Sequence, residues 1–338
     1  MSQELQNYIN EMREAGYRDS EIKKSLLQSG WPDDYLDALL DPTHTDGGVI
    51  FIKNFYKYYG DLKAVDGISI KVEKGEIFGF LGPNGAGKTT TMRTIMDFLR
   101  PTSGSIKVFG KDSKVNSVEL KRYIGYLPGE VNLYGKWTGQ QHINFVKKFA
   151  DTRAVDITSE LVARLVFDPT RKVKELSSGN KQKLGIILAL MFRPQILVLD
   201  EPTNALDPLL QNVIYKILQE FADNGTTVFM SSHNLTEVER ICTKVAIIKG
   251  GRIVEISDIK SLKQKRFYDI KVSFASQVTE EDLQIEGIET VNSSNDGFFI
   301  KFKGDINKLF EELSRYSIED IKVNRASLED IFLEFYQY

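Results

Sequence analysis

Cysteine is almost missing from this chain. Cys242 is its single thiol, so no disulfide can close within the chain and no cysteine-rich metal cluster can be built. One buried-type thiol fits a reducing compartment. A basic excess is missing as well: 44 Lys and Arg stand against 47 Asp and Glu, and the net charge of −3 leaves no basic footprint for nucleic acid. Histidine occurs three times, so one histidine by itself says little. The N-terminus lacks the apolar core of a secretory leader. The longest apolar stretch, residues 184–199, is broken by Arg193-Pro194 and reads as a core helix and a strand rather than a membrane span. What remains is ordinary for a soluble globular protein, with 41% hydrophobic and 27% charged residues. A chain of 338 residues has room for one large α/β domain with smaller additions.

The most specific feature is Gly82-Pro83-Asn84-Gly85-Ala86-Gly87-Lys88-Thr89, which follows the pattern G-x-x-x-x-G-K-T. Ile77–Leu81 before it reads as a buried strand, and residues 90–96 after it, from Thr90, read as a helix. That strand–loop–helix setting is the one a phosphate-binding loop needs. Its glycines let backbone N–H groups close around phosphate oxygens, and the helix N-terminus adds partial positive charge. In such a loop Lys88 reaches the β- and γ-phosphates, and the Thr89 hydroxyl ligates Mg²⁺. Ile196-Leu197-Val198-Leu199 reads as a central parallel strand ending in Asp200 and Glu201. By itself this is a buried strand with two solvated acids. After a phosphate loop, Asp200 is expected to hold Mg²⁺ directly or through water, and Glu201 to face the water that attacks the γ-phosphate. Leu176-Ser177-Ser178-Gly179-Asn180 precedes a helix over residues 181–192. Ser177 and Gly179 read either as a plain helix cap or as an anion site at a helix N-terminus.

On these residues the chain resembles the ATP-binding cassette (ABC) family, whose signature LSGGQ is written here as LSSGN. The resemblance implies that Ser177 and Gly179 contact the γ-phosphate of ATP bound on a second subunit. Ser178 and Asn180 depart from the commonest form; the serine and second glycine are kept. Asn204-Ala205-Leu206-Asp207 resembles the D-loop, whose aspartate lies at the dimer interface. Ser231-Ser232-His233 ends a strand over residues 226–230, and His233 resembles the switch histidine that contacts the γ-phosphate. Tyr59 resembles the aromatic that stacks on adenine, with Tyr58 and Tyr56 as competitors. One motif departs from the family: after Ile124-Gly125-Tyr126-Leu127-Pro128 a glutamine is expected, and Gly129 then Glu130 stand there. Glycine cannot ligate Mg²⁺, so Glu130 or a water would have to. Exporters of this family include the GYLPGE variant.

Four segments are expected. Residues 1–41 form a small helical module, with Leu5, Tyr8, Ile9 and Met12 at helical spacing, a second helix from Asp19 carrying Ile22, Leu26 and Leu27, and a third over residues 33–40. Its role is either regulatory or merely stabilising. Residues 42–48 form a polar linker. Residues 49–258 form the cassette, a P-loop α/β fold with a helical arm. Residues 259–338 follow a β-α-β-β-α-β order that reads as a ferredoxin-like α+β domain, then a last helix over residues 327–336. The ending SLEDIFLEFY resembles the C-terminal accessory domain of ABC exporter ATPases related to antibiotic-resistance exporters, and dimer stabilisation is preferred there to ligand sensing.

The function these features imply is an ATPase subunit of an ABC transporter of exporter type, using ATP and Mg²⁺. Its partners would be a second cassette, identical or paralogous, in an ATP-sandwich dimer, and a separate multi-span permease, with no nucleic acid. It would sit at the cytoplasmic face of the membrane. Each site would combine Lys88, Thr89, Asp200, Glu201 and His233 of one chain with Ser177 and Gly179 of the other. Two rivals remain. A soluble ABC ATPase working on DNA or the ribosome would be expected to carry a long coiled coil or two cassettes. A binding module that holds ATP without hydrolysis would be expected to lack Glu201 or His233.

Overall fold

The computed structural model describes residues 48–149, 155–264, 268–294 and 297–325, together with residues 19–29 and Leu5, Tyr8, Ile9, Glu11, Met12 and Tyr17 near the N-terminus. The expected third helix, the linker and the last helix lie outside the described residues. The chain divides into two compact units. One comprises residues 1–234 and 241–256, the other residues 235–240 and 257–338.

In the first unit, α1 (Asp19–Gln28) carries Ile22 and Leu26, which are buried with Leu5 and Ile9 in a small cluster of their own. Tyr8 and Leu27 are exposed, so the buried stripe is narrower than the spacing predicted. Strand β1 (Gly48–Tyr59) pairs antiparallel with β2 (Leu62–Glu73). The apolar patterns predict strands over residues 49–56 and 67–74; both are longer, because the hairpin ladder continues to Tyr59 opposite Leu62 whatever the side chains are.

The chain then enters the core. Strand β3 (Ile77–Leu81) is buried at all five residues and leads into α2 (Lys88–Ile95). Strands β4 (Ser103–Val108) and β5 (Lys111–Asp112) add to the antiparallel sheet, whose order is β2-β1-β4-β5. The short α3 (Ser117–Leu120) precedes β6 (Ile124–Leu127). The helical arm follows with α4 (Gly139–Lys147), α5 (Thr158–Arg164) and α6 (Ser178–Leu190). A capping box starts α4: Thr138 Oγ1 accepts from Gln141 N, and Gln141 Oε1 accepts from Thr138 N.

Strand β7 (Ile196–Asp200) is fully buried. Helix α7 (Pro208–Asp223) has Asp207 as its cap and proline in its first turn. Strand β8 (Thr227–Ser232) is fully buried, and α8 (Leu235–Ile241) leads to β9 (Lys244–Lys249) and β10 (Arg252–Asp258). The central sheet has the order β10-β9-β3-β8-β7-β6, and β9-β3-β8-β7-β6 are parallel. Strand β8 extends past the expected Met230 because Ser231 and Ser232 stay in register with Phe80 and Leu81 of β3. In parallel α/β sheets, groups at the carboxyl ends of the strands face the ligand crevice. Here those ends are Leu81, Asp200 and Ser232.

In the second unit, α9 (Ile259–Gln264) is followed by β11 (Tyr268–Phe274), β12 (Ile288–Ser294), β13 (Gly297–Phe302), α10 (Ile306–Leu313) and β14 (Ile318–Arg325). The sheet is antiparallel in the order β12-β13-β11-β14, the ferredoxin-like arrangement. The helix expected from Thr279 is a single 3₁₀ turn, Glu281–Leu283. Thr279 and Asp282 form a closed local pair, the carboxylate accepting from both the backbone N and the hydroxyl of Thr279. Leu283 still reaches the core with Ile270, Val272, Ile300, Phe302, Leu309 and Leu313.

Candidate active site

The loop between β3 and α2 is seated by its ends. Gly82 N donates to Ser232 O at 3.2 Å, and Ala86 O accepts from Gly251 N at 3.2 Å. Pro83, Asn84 and Gly85 form its exposed tip, while Ala86 and Gly87 are buried and Thr90 is half-buried on the helix. Lys88 begins α2 and is buried at 5% exposure. Its Nζ donates to Gly82 O at 2.6 Å and Pro83 O at 3.1 Å, and lies 3.6 Å from Glu201 Oε1. Burial pushes the Lys88 ammonium below the usual lysine range, and the charges of Glu201 and Asp200 push it back up. The result is a cation held among carbonyls and carboxylates inside the loop, where an anionic phosphate would complete its neutralisation.

Thr89 Oγ1 donates to Asp200 Oδ2 at 2.7 Å, across 111 residues of sequence. The other carboxylate oxygen, Oδ1, accepts from Ser231 Oγ at 2.5 Å. Asp200 is therefore pinned on both oxygens at the end of β7, at 1% exposure. Ser231 Oγ also accepts from Glu201 N at 3.0 Å. Glu201 adopts φ of +49°, a left-handed conformation that side chains other than glycine seldom take. Such a residue costs roughly 1–3 kcal/mol and persists where its surroundings over-determine it. Its Oε2 lies 3.0 Å from His233 Nδ1, and the imidazole is 54% exposed. A carboxylate placed between a buried ammonium and an exposed imidazole has the geometry of a general base open to water.

Lys88, Thr89, Asp200, Glu201 and His233, expected from sequence to act together, are thus joined by direct contacts at the ends of β3, β7 and β8. The other expected residues lie apart from that set. Ser177 is exposed and caps α6, its hydroxyl accepting from Asn180 N at 3.3 Å. Gly179 sits in the first turn of α6, where an added Cβ would come within 2.9 Å of Ala205 O, so the signature turn rests on the loop that carries Asp207. Asp207 is exposed and accepts from Leu210 N at 3.0 Å as the cap of α7. Among the described residues, no hydrogen bond or ion pair joins Ser177 or Asp207 to the lysine–carboxylate–imidazole set. Of the three tyrosines, Tyr58 spends its hydroxyl on Asp66 at 2.7 Å, and Tyr56 packs edge-on against it with centroids 6.1 Å apart. Tyr59 is exposed at 46%, with Lys57 Nζ 4.9 Å from its ring centroid.

Sequence reasoning gave no role to Ser231, Tyr126 or Gln182. The serine bridges Asp200 and Glu201. Burial pushes the Tyr126 hydroxyl up and the charge of Asp200 adds to the effect, while Arg93 beside it acts the other way. Gln182 donates to the carbonyls of Glu201 and Pro202. Only strand-end position marked Ser231 in the sequence, and nothing marked the other two.

Gly129 lies against Asp200. A Cβ there would be 3.0 Å from Asp200 Oδ2 and 3.2 Å from its Cγ, while Glu130 is exposed. Since Thr89 and Ser231 hold both carboxylate oxygens, Asp200 has nowhere to retreat. Gly129→Ala is therefore expected to push on the carboxylate that the sequence predicts to hold Mg²⁺, and so to weaken the apparent Mg²⁺ affinity of phosphate release by on the order of tenfold, the range seen when groups that orient a metal ligand are changed. A Mg²⁺ titration of phosphate release, with an unchanged curve as the contrary result, decides it.

The donor set fits such an ion. Thr89 Oγ1 and Asp200 Oδ2 are hard oxygen donors side by side, and no group of three His, Cys, Asp or Glu suited to a metal occurs among the described residues. Mg²⁺ takes one or two protein oxygens and completes its shell with phosphates and water. No helix among the described residues is long and apolar enough to cross a membrane.

The chain is similar to known proteins in sequence and in fold. Residues 65–204 match the family model described as ABC transporter, and residues 255–336 match that of the ATP-binding protein DrrA1-3-like, C-terminal domain. The bacitracin transport ATP-binding protein BcrA of Bacillus licheniformis is 33% identical over 297 residues, covering 85% of this chain and 96% of that protein. BcrA of Enterococcus faecalis is 32% identical, covering 84% and 95%. Among solved structures, the dimeric bacterial ABC transporter cassette MJ0796 superposes with a TM-score of 0.58 over 62% of this chain and 98% of that one, at 23% identity. That likeness is one of fold.

Proposed function

The chain belongs to the ABC transporter family as an ATP-binding subunit, and on that premise we propose that it hydrolyses ATP at the Lys88–Asp200–Glu201–His233 site to drive export through a separate membrane permease. The observation that carries the chemistry is the meeting of Glu201 with both Lys88 and His233 beside the Thr89–Asp200 pair. The phosphate loop binds and orients the triphosphate, with Lys88 on its terminal phosphates. Thr89 and Asp200 would hold Mg²⁺, which supplies charge neutralisation to the phosphates when bound. Glu201 takes a proton from the attacking water, and His233 steadies the carboxylate through Oε2 and faces the γ-phosphate. Tyr59, the tyrosine whose hydroxyl is uncommitted and whose ring is exposed, stacks on adenine.

In this reading the γ-phosphate takes further donors from a second cassette. Exposed Ser177 and half-buried Gly179, with Asp207 on the adjoining loop, supply them. ATP binds that closed dimer more tightly than the open state and so stabilises it; hydrolysis removes the bridging contacts and reopens it. A role in transport is supported by the likeness to two proteins named for bacitracin transport, and export as the direction rests on the resemblance of the ending SLEDIFLEFY to exporter ATPases. Phosphate release by the purified chain with Mg-ATP tests the ATPase. Co-purification of a defined multi-span protein from detergent-solubilised membranes tests the permease and the peripheral membrane location.

The N-terminal residues bury Leu5, Ile9, Ile22 and Leu26 in their own cluster, and every nucleotide motif lies beyond Val49. Deleting residues 1–40 is expected to leave ATPase activity of the purified protein within about threefold, as for a separable segment. Loss of folding or of ATP binding on deletion would show that the segment completes the cassette core.

A further inference from the structure

Gln182 lies five residues beyond the cap Ser177 on α6 and is 6% exposed. Its Nε2 donates to two successive carbonyls of another segment, Glu201 O at 3.2 Å and Pro202 O at 3.1 Å. Both acceptors are carbonyl oxygens, so the amide must present its NH₂ group to them, and both of its protons are used. One of these bonds lands on Glu201, the residue held at φ of +49°, and the other on the residue that follows it. At its other end, Glu201 N donates to Ser231 Oγ. The backbone of Glu201 is thus gripped from β8 at its nitrogen and from α6 at its carbonyl. Neither Gln182 bond involves Lys88, Thr89 or the phosphate loop.

We propose that Gln182 is a positioning residue for the hydrolytic carboxylate: it holds Glu201 in its left-handed conformation, and so fixes where the carboxylate meets water. The inference rests on the ATPase reading above. It also assigns a mechanical consequence. Gln182 stands on the helix that begins at Ser177, so the segment offered to a second subunit's nucleotide is tied to the chain's own catalytic carboxylate. A shift of α6 on dimerisation would be transmitted to Glu201 through two hydrogen bonds rather than through side-chain packing alone.

Three variants test this. Gln182→Met keeps the length and removes the donors. Gln182→Glu fills the same volume and, ionised, cannot donate; it gives a second reading should the methionine protein not fold. Gln182→Lys restores a donor on a chain one atom longer. The expected result for Met and Glu is a fall in kcat of about tenfold or more, since small misplacements of a catalytic group cost up to about a hundredfold. KM for ATP and binding of a fluorescent ATP analogue should stay within about twofold, because the interaction lost acts only on turnover. Lys should recover most of the lost kcat. Parental turnover in Met and Glu, a parallel loss of kcat and nucleotide affinity, or a Lys variant as slow as Met would each overturn the proposal. If the parent hydrolyses Mg-ATP and Glu201→Gln does not while the Gln182 variants behave as the parent, this inference alone fails. If the parent itself does not hydrolyse ATP, the underlying reading fails.

Discussion

Glu201→Gln is expected to bind ATP as the parent does and to release phosphate at least a hundredfold more slowly. The substitution is nearly isosteric, so the neighbouring contacts that place the side chain survive in form. The amide can still meet His233 where Oε2 lies 3.0 Å from Nδ1, and it keeps its place near Lys88. What disappears is a group able to take a proton from water, and general-base catalysis contributes about 10²–10⁴-fold. Binding depends on the loop and Lys88, which the substitution leaves alone. The protein should then accumulate as an ATP-bound dimer, because assembly continues and the step that reopens it is blocked. Single-turnover phosphate release and size-exclusion chromatography with Mg-ATP give the two readouts. Phosphate release near the parental rate would remove Glu201 from its catalytic role.

The second large effect is expected at the signature. Ser177→Arg, placed on the Glu201→Gln background, should abolish ATP-dependent dimerisation while the open monomer binds ATP with unchanged affinity. Ser177 is exposed, and its hydroxyl accepts from Asn180 N as the cap of α6. An arginine there fills the space that the partner's γ-phosphate would enter. Loss of the cap alone costs about 0.5–2 kcal/mol of helix stability, so Ser177→Ala separates the two contributions. The alanine protein loses the cap without adding bulk and should still dimerise at high ATP, whereas the arginine protein should not. Light scattering with and without Mg-ATP measures this. A Ser177→Arg double mutant that dimerises like its parent would reduce Ser177 to a helix cap.

Much of this architecture could be read from the chain because it is carried by short contiguous signals. Ile77–Leu81 and the loop after it declare a buried strand and a phosphate cradle in 13 consecutive residues. Ile196–Asp200 does the same for the second strand. Apolar runs and glycine spacing are local, and the physics behind them is local too. The joints between elements are not. Ser231 looks like any strand-end serine, and only the fold brings it between Asp200 and Glu201, 31 and 30 residues away. Gln182 is polar on a helix whose other inward residues are apolar, which marks burial without naming the partner. The left-handed conformation of Glu201 leaves no trace in composition. In the second unit, the helix expected from Thr279 is one 3₁₀ turn, Glu281–Leu283, a length that the residues after Thr279 did not announce. Strand ends were read short at Tyr59 and Ser232 because backbone pairing continues where hydrophobic alternation stops.

The parallel order of the central sheet also sets a timetable for synthesis. Strand β3 acquires its first neighbour only when Thr227–Ser232 has been made, about 150 residues after its own synthesis, and its second when Lys244–Lys249 has been made, about 170 residues after. At ribosomal speeds of about 5–20 residues per second, that is a wait of roughly 10 to 30 s. During it Phe78 and Phe80, both fully buried in the finished protein, have no sheet to enter. The loop's seats at Ser232 and Gly251 come equally late. Nucleotide therefore cannot serve as a template for the early chain. It can capture the cassette only near the end of that unit's emergence, and until then the nascent strand depends on the ribosome and on chaperones to keep it from associating with others.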